Sequence, residues 1–492
     1  MKLFVKWAAV LAVMAILGTS FLGMTAYAAS DIPAQVTAHF GGDASTEVNI
    51  VFTTQSQAPS KVTYYPAENR DATQTAEGAQ TRQAGKYFHK VALSGLQPGT
   101  QYVYAIGEGD DAFQGKFKTA PAKGSKDAFT FAYLADTQVS TAEDAKALGA
   151  NLQQVADGGY DFVYLAGDHT DTATNETQWE QLFTNDGAYP TGGQNLFGGF
   201  AVAVVQGNHD NADLSNHFAV PAQAGKAVYA FDYGPATFIM LNLESTVLLP
   251  TERNKQADFL RNTAKDAKSR GQWVIVGFHK SIYSGASHIA DTDVVAARKF
   301  WSPVLAEADV DLVLQGHDHV YSRGFIRADG SKAINASNGA KVQNPENAPL
   351  YMVAGHAGGL KWYSQEAYKV NVGDPLIPDY AFLDRNSTDD KSDEKKEQWI
   401  VGFRVSDDKI IITTKASKYD VNTDKLSTPS YVYDTLTITR TAVDDGLSIP
   451  NTGGGSLAVL FLALFALLTL IAVGCVFAGC FVLEKAAEHL DD

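Results

Sequence analysis

The sequence predicts a multi-domain protein: an all-β sandwich, then an α/β layered body, then a C-terminal transmembrane helix. Three observations lead there. Residues 32–119 alternate polar and apolar positions with no helical period. Residues 127–440 carry five apolar, β-branched or aromatic runs that each stop at a polar cluster, with helical stretches between several of them. Residues 457–483 contain no charged side chain. At 492 residues and 45% hydrophobic content, the chain is also too long for one ordinary core.

Taken in order, the chain opens with Lys2 and Lys6, runs largely apolar over 7–24 and reaches Ala26-Tyr27-Ala28 before Ala29. That is the pattern of a signal peptide, residues 1–28, cleaved after Ala28, and it predicts export. The sandwich follows over 32–119. Its alternation is visible in Glu47-Val48-Asn49-Ile50-Val51-Phe52, in Lys61-Val62-Thr63-Tyr64-Tyr65 and in Tyr102-Val103-Tyr104-Ala105-Ile106. A polar linker at 119–126 separates it from the α/β body, 127–440. There the strand-like runs are 129–134, 162–165, 200–205, 273–276 and 310–314. Segments 142–155 and 252–269 repeat apolar positions every three or four residues, as helices do. From 399 to 439 alternating strands return, as one edge of the same domain.

A linker at 441–455 leads to the predicted helix at 457–483, long enough to cross a hydrocarbon layer of about 30 Å. Both cysteines, Cys475 and Cys480, lie in that last segment, so no disulfide holds the rest together. The expected location is therefore the cell membrane or cell surface, with the α/β body outside. A net charge of −16 and a pI near 5.1, with no basic run, exclude binding to a nucleic-acid backbone.

The chemistry gathers where the apolar runs end. The clusters are Asp136-Thr137-Gln138, Gly167-Asp168-His169-Thr170-Asp171, Gly207-Asn208-His209-Asp210, Phe278-His279-Lys280 and Gly316-His317-Asp318-His319. Ligands in layered α/β folds bind at strand ends. Carboxylates, an amide oxygen and neutral imidazoles suit Fe, Mn or Zn, and the lack of thiolates argues against a structural zinc site. With two such ions about 3.5–4 Å apart, one carboxylate bridges them and a bound water loses its proton near neutral pH.

Two resemblances follow from these residues. Leu93-Ser94-Gly95-Leu96-Gln97-Pro98-Gly99-Thr100-Gln101-Tyr102-Val103-Tyr104 resembles the turn and strand of fibronectin type III domains, and more closely the sandwich in front of purple acid phosphatase catalytic domains. The ordered clusters resemble the calcineurin-like metallophosphoesterases, so that 32–440 as a whole looks like the purple acid phosphatase branch. By that resemblance Asp136 and His319 hold a first metal ion, Asn208, His279 and His317 a second, and Asp168 bridges them. His209 would lie over the phosphate, as proton donor to the leaving oxygen or stabiliser of the transition state. His288, nine residues beyond His279, is either substrate-facing or a surface histidine.

The sequence departs from the family pattern at two places. Gln138 stands where the broader family often has His, and Asp171 where purple acid phosphatases have Tyr. Asp171 either coordinates the first metal ion or orients His319 from behind. Tyr321 and Arg323 complete Gly316-His317-Asp318-His319-Val320-Tyr321-Ser322-Arg323, with Arg323 expected in a structural ion pair rather than on phosphate. His169 and His356 are pocket liners or packing residues, packing being the expectation. Ser448-Ile449-Pro450-Asn451-Thr452-Gly453 resembles the LPxTG signal that sortases attach to bacterial cell walls, which makes wall attachment the alternative to membrane retention.

The resemblance implies hydrolysis of small phosphate monoesters by metal-activated water. Two other readings remain open at this point: a phosphodiesterase or nucleotidase on the same metal core, and a surface-binding protein whose catalytic domain is retired.

Overall fold

A computed structural model of the chain describes residues 31–184, 192–210, 214–244, 249–358, 361–363 and 397–441. The N-terminal part is a sandwich of eight strands: β1 (Ala34–Phe40), β2 (Val48–Thr54), β3 (Lys61–Pro66), β4 (Gln74–Glu77), β5 (Ala79–Gln83), β6 (Lys86–Leu93), β7 (Gln101–Ile106) and β8 (Phe113–Lys118). One face is the sheet β4-β3-β7-β8, the other the run β1-β2-β6-β5. Alternate residues such as Ile50, Phe52, Val62, Tyr64, Tyr102 and Tyr104 meet between the two faces, which is why the period-two pattern is so plain here.

The body contributes β9 (Phe129–Leu134), β10 (Phe162–Leu165), β11 (Ala201–Val204), β12 (Tyr229–Tyr233), β13 (Ala236–Met240), β14 (Trp273–Gly277), β15 (Leu312–Gln315), β16 (Tyr321–Ile326), β17 (Lys332–Ile334), β18 (Ala340–Gln343), β19 (Leu350–Ala354), β20 (Gln398–Val405), β21 (Lys409–Asp420) and β22 (Lys425–Thr439). Strands β9, β10 and β11 run parallel, as do β13, β14, β15 and β19 in a second sheet of order β12-β13-β14-β15-β19-β16-β17. The two sheets face each other across an aromatic layer in which Phe131 of β9 meets Phe238 of β13 edge-on with centroids 5.3 Å apart. Tyr133 and Tyr164, from β9 and β10, donate their hydroxyls to the carbonyls of Gln315 and Leu314 in β15, tying the sheets together close to the strand ends.

Helices cover the outer faces. Helix α1 (Ala142–Asp157) starts at Thr141, whose hydroxyl accepts from the Asp144 N–H while Asp144 reaches back to the Thr141 N–H. Its buried Leu148, Leu152 and Val155 pack on β9 and β10. The body also has α2 (Glu176–Leu182), α3 (Gly193–Phe197), α4 (Leu214–His217), α5 (Pro250–Ser269) and α6 (Thr292–Glu307). Strands β20, β21 and β22 join the first sheet beside β9, with β20 antiparallel to it, so the late strands do form an edge of the body.

The sandwich is not a bead on a string. Strand β1 pairs in parallel with β11, Ala38 opposite Ala201 and His39 opposite Val202, so one eleven-stranded sheet runs β18-β22-β21-β20-β9-β10-β11-β1-β2-β6-β5 through both parts. Further contacts brace the joint. The Tyr104 hydroxyl donates to the Gly198 carbonyl at 2.7 Å, and the Glu176 carboxylate accepts from Gln35 Nε2 at 2.8 Å and Lys86 Nζ at 2.9 Å.

One expectation is corrected. Among the described residues no helix is long and apolar enough to cross a membrane, and the stretch 457–483 that suggested one lies outside them. A span needs about 20 residues of helix that are also largely apolar, and among the described residues α5 has that length but carries charged side chains along it. The fold is therefore a β-sandwich joined to a layered α/β body. The leader at 1–28, most of the 441–455 linker and the wall-sorting motif also fall outside the described residues.

Candidate metal centre

Each ligand candidate sits just past the end of a buried strand. β9 ends at Leu134 and presents Asp136; β10 ends at Leu165 and presents Asp168; β11 ends at Val204 ahead of Asn208; β14 ends at Gly277 ahead of His279; β15 ends at Gln315 ahead of His317 and His319. The chain must turn sharply there to aim side chains inward. Asp136, Asp168 and His317 take left-handed backbone angles, with φ of 49°, 50° and 72°. Such conformations cost a non-glycine residue of order 1 kcal/mol or more and persist where surrounding structure enforces them. At Gly207 a Cβ would stand 2.1 Å from Asp168 Oδ1, so only glycine lets the Asn208 loop approach that carboxylate.

The side chains converge. Ligand atoms of Asp168, His279 and His317, all buried, lie within 4.8 Å of one another. His279 Nε2 stands 3.1 Å from Asp168 Oδ2 and 3.1 Å from Asn208 Oδ1. His319 Nε2 faces Asp136 Oδ1 at 3.6 Å, and His279 Nδ1 stands 4.0 Å from the same oxygen. The remaining ring nitrogens are anchored: His279 Nδ1 donates to the Ala166 carbonyl at 2.7 Å, and His319 Nδ1 donates to the Lys361 carbonyl at 2.7 Å. Both imidazoles thus turn Nε2 inward, the arrangement metal-binding histidines adopt.

Buried carboxylates and imidazoles shift one another here. Burial raises the Asp136 carboxyl, against the pull of the neighbouring His319 and His279. Burial would raise Asp168 as well, but the charge and hydrogen bond of His279, with His209, hold it well below the usual range. His279 is pushed down by burial yet lifted further by Asp168, Asp136 and Glu244, to about 10. His317 is driven well down by burial and by the charge of His279, leaving it neutral.

His319 Nε2 is buried with no hydrogen-bond partner among the described residues. Buried polar atoms are rarely left so. Oxygen and imidazole donors around shared carboxylates, with an orphaned nitrogen aimed among them, fit two metal ions of the Fe, Mn or Zn type.

The other predicted site residues are placed as follows. His209 donates its backbone N–H to Asp168 Oδ1 at 2.9 Å and its Nδ1 to the Asp171 carbonyl at 2.5 Å, leaving Nε2 4.0 Å from Asp168 Oδ2. His288 is half-buried beside the site, its ring centroid 4.2 Å from that of His317. Asp171 accepts from Gln138 Nε2 at 3.2 Å and faces Lys361 Nζ at 3.8 Å. The acceptor behind His319 is the Lys361 carbonyl instead, so the orienting role considered for Asp171 is filled by another residue. Arg323 forms a buried pair with Asp434, Nε to Oδ2 at 2.6 Å, far from any phosphate role. His169 and His356 are fully buried in packing positions.

Four residues around the site drew no role from the sequence. Asp210 accepts from the backbone N–H groups of Asp168 (2.8 Å), His169 (2.8 Å) and Gly207 (2.7 Å), locking two ligand loops to each other. Its signal lay in plain view as the last letter of Gly207-Asn208-His209-Asp210. Asp318 sits fully buried between His317 and His319 and bonds His288. Lys361 and Tyr363 come from a segment with no motif; the Tyr363 ring stacks on His319 at 4.1 Å and stands edge-on to His288 at 5.0 Å. Burial and the surrounding carboxylates push the Tyr363 phenol above its ordinary range, so it remains protonated.

The chain is similar to known phosphoesterases in sequence and in fold. Residues 129–321 match the calcineurin-like phosphoesterase family and residues 33–122 the purple acid phosphatase N-terminal domain. Acid phosphatase type 7 of Mus musculus is 25% identical over 297 residues, 55% of this chain and 64% of that protein, so the chain spans just under two thirds of its length. A purple acid phosphatase of Glycine max is 23% identical over 359 residues, 67% of this chain and 73% of the relative. Among solved structures, the purple acid phosphatase PPD1 from yellow lupin seeds superposes with a TM-score of 0.61 at 17% identity, covering 87% of this chain and 78% of that one. PhoD gives 0.57 at 14% identity, covering 85% and 95%. At these identities the structural likenesses speak to the fold.

Proposed function

We propose that this chain, which joins a purple acid phosphatase N-terminal domain to a calcineurin-like metallophosphoesterase domain, hydrolyses small phosphate monoesters with two metal ions held by Asp136, Asp168, Asn208, His279, His317 and His319. The observation that carries the reading is the convergence of buried Asp168, His279 and His317 beside the orphaned His319 Nε2. A retired site has no physical reason to keep left-handed aspartates and an unpartnered nitrogen in register.

Metal ions in this donor set supply an activated water and positive charge for the phosphoryl oxygens. The chain's own residues do the rest. Asp168, 3.1 Å from His279 and clustered with His317, would be the carboxylate shared by the two ions. Ala166 and Lys361 carbonyls hold the tautomers of His279 and His319. His209, with Nδ1 tied to the Asp171 carbonyl, presents Nε2 on the Asp168 side of the site, where it donates a proton to the leaving oxygen. Such donation typically accounts for about 10²–10⁴-fold in rate. Lys361, beside Asp171, adds a cation at the rim.

Export is part of the proposal, supported by the leader pattern at 1–28. N-terminal sequencing of the mature protein tests it: a chain that still begins at Met1 would refute cleavage after Ala28.

The activity test uses the purified chain reconstituted with Mn, Zn or Fe and supplied with p-nitrophenyl phosphate, with bis-p-nitrophenyl phosphate as the diester. The expected outcome is turnover of the monoester, abolished by chelation and restored by metal, with the diester slower. Folded, metal-loaded protein that turns over neither compound would defeat the proposal; faster diester turnover would make the chain a phosphodiesterase.

A further inference from the structure

We propose that Asp318 is a positioning residue that aims His288 at the substrate from the His317 side of the site. This rests on the phosphoesterase reading above and assigns a role within it.

Asp318 is fully buried, and its carboxylate is saturated by donors from a single neighbouring loop. Oδ2 accepts from the hydroxyls of Ser281, at 3.0 Å, and Ser284. Oδ1 accepts from the His288 backbone N–H at 3.4 Å and from His288 Nδ1 at 2.8 Å. A carboxylate whose other partners are hydroxyl and amide donors can only accept from the ring, so Nδ1 carries the hydrogen. Nε2 is then the nitrogen left for a ligand. The ring is clamped between His317, with centroids 4.2 Å apart, and the edge-on Tyr363 at 5.0 Å, which fixes its plane.

A second histidine of the site is held in the same way. His209 is held through Nδ1 by the Asp171 carbonyl, and its Nε2 is the inward atom. Two imidazoles beside the proposed ligands thus have Nδ1 fastened to an oxygen, which leaves Nε2 as the other ring nitrogen of each. His209 adjoins Asp168. His288 adjoins His317. The position next to a ligand of the second ion suits contact with a non-bridging phosphoryl oxygen, so the aim of His288 bears on how well the phosphate group is held.

A plainer role for Asp318 is to tie the His279–His288 loop to the His317–His319 loop. The two roles separate in a double-mutant cycle on the metal-loaded full chain, reading kcat and KM for p-nitrophenyl phosphate and binding of inorganic phosphate by calorimetry. Asp318→Asn is expected to weaken phosphate binding and lower kcat/KM by about 10–100-fold, the range for residues that orient a functional histidine. Metal content by elemental analysis is expected to stay at the wild-type value. His288→Ala should cost at least as much, and Asp318→Asn added to His288→Ala should change it by less than about twofold.

Additive losses, or metal loss in Asp318→Asn alone, would overturn the proposal in favour of the loop tie. A second measurement is independent of turnover. In protein labelled with ¹⁵N-histidine, the resonance missing from His288→Ala is expected to show Nδ1 protonated in the wild type, and to lose that preference in Asp318→Asn. If the tautomer does not change, the inference fails even when the enzyme is active. If wild-type protein hydrolyses no ester yet the tautomer shifts and phosphate binding weakens, the functional reading fails while the positioning role stands.

Discussion

At the scale of single residues, the site is held by acceptors that are not among the proposed ligands. Asp210 serves three buried backbone N–H groups that belong to two ligand loops. Removing it leaves those donors without partners, at about 1–3 kcal/mol each before relaxation. Asp210→Ala is therefore expected to lower unfolding free energy by at least about 3 kcal/mol in urea denaturation and to weaken metal binding with it. A loss below about 1 kcal/mol would show that the loops hold themselves. Residues of this kind explain what the sequence revealed and what it hid. Asp136, Asp168, Asn208, His279, His317 and His319 were legible as candidates because each is a ligand type placed right after a buried run, and His279 stands within 4.0 Å of Asp136, Asp168 and Asn208. Asp210 and Asp318 sat inside the same motifs, but a carboxylate's role depends on which donors surround it, and those donors come from other loops. Lys361 and Tyr363 act through a backbone carbonyl and a ring face, neither of which leaves a mark on sequence pattern.

At the scale of elements, the short helix α2 and the sandwich strands form an acid-sensitive unit. Burial alone would raise the Glu176 carboxyl, but the hydrogen bond and charge of His217, with Gln35 and Lys86, hold it at about 2 against an ordinary value near 4.5. Its folded value is depressed, so it contributes stability above pH 4.5 that disappears as pH falls toward 2. His39 in β1 and His89 in β6 are kept neutral by burial, at about 3 and about 4 against 6.5. The unfolded chain takes up these protons below pH 6.5 while the native state refuses them, so each removes up to about 1.4 kcal/mol per pH unit until its folded value is reached. Melting temperature is thus expected to fall steadily from pH 6.5 to 4, with a further component between 4.5 and 2. His89→Gln should flatten the first interval and Glu176→Gln the second; curves parallel to wild type would contradict the assignment.

Strand alternation was readable element by element, yet the partner of β1 was not. Val36, Ala38 and Phe40 mark one face, and a two-layer sandwich would leave Thr37 and His39 to solvent. Both are fully buried instead, because the Thr37 hydroxyl donates to the His217 carbonyl at 2.8 Å and the His39 ring stands against Phe218 at 5.3 Å.

At the scale of the whole molecule, the shared eleven-stranded sheet makes sandwich and body one cooperative structure. Backbone pairing between β1 and β11 and the Tyr104–Gly198 bond leave neither part with a finished surface. Calorimetry is expected to show a single unfolding transition across residues 31–441, and two resolved transitions would refute the coupling. A parallel pairing between strands some 160 positions apart leaves no local pattern, which is why the polar linker at 119–126 read as a boundary between independent units.

That joint also limits how such a protein can be reassembled from parts. A crossover in the gene at the linker would pass through soft polar sequence, yet the grafted front module would have to arrive with a first strand already matched to Ala201 and Val202. Without that match β11 would be left as a raw edge, open to pairing between molecules. Inheritance of the two halves as a pair is the expected outcome, and chimaeras built by swapping one of them should precipitate unless β1 stays behind with the body it completes.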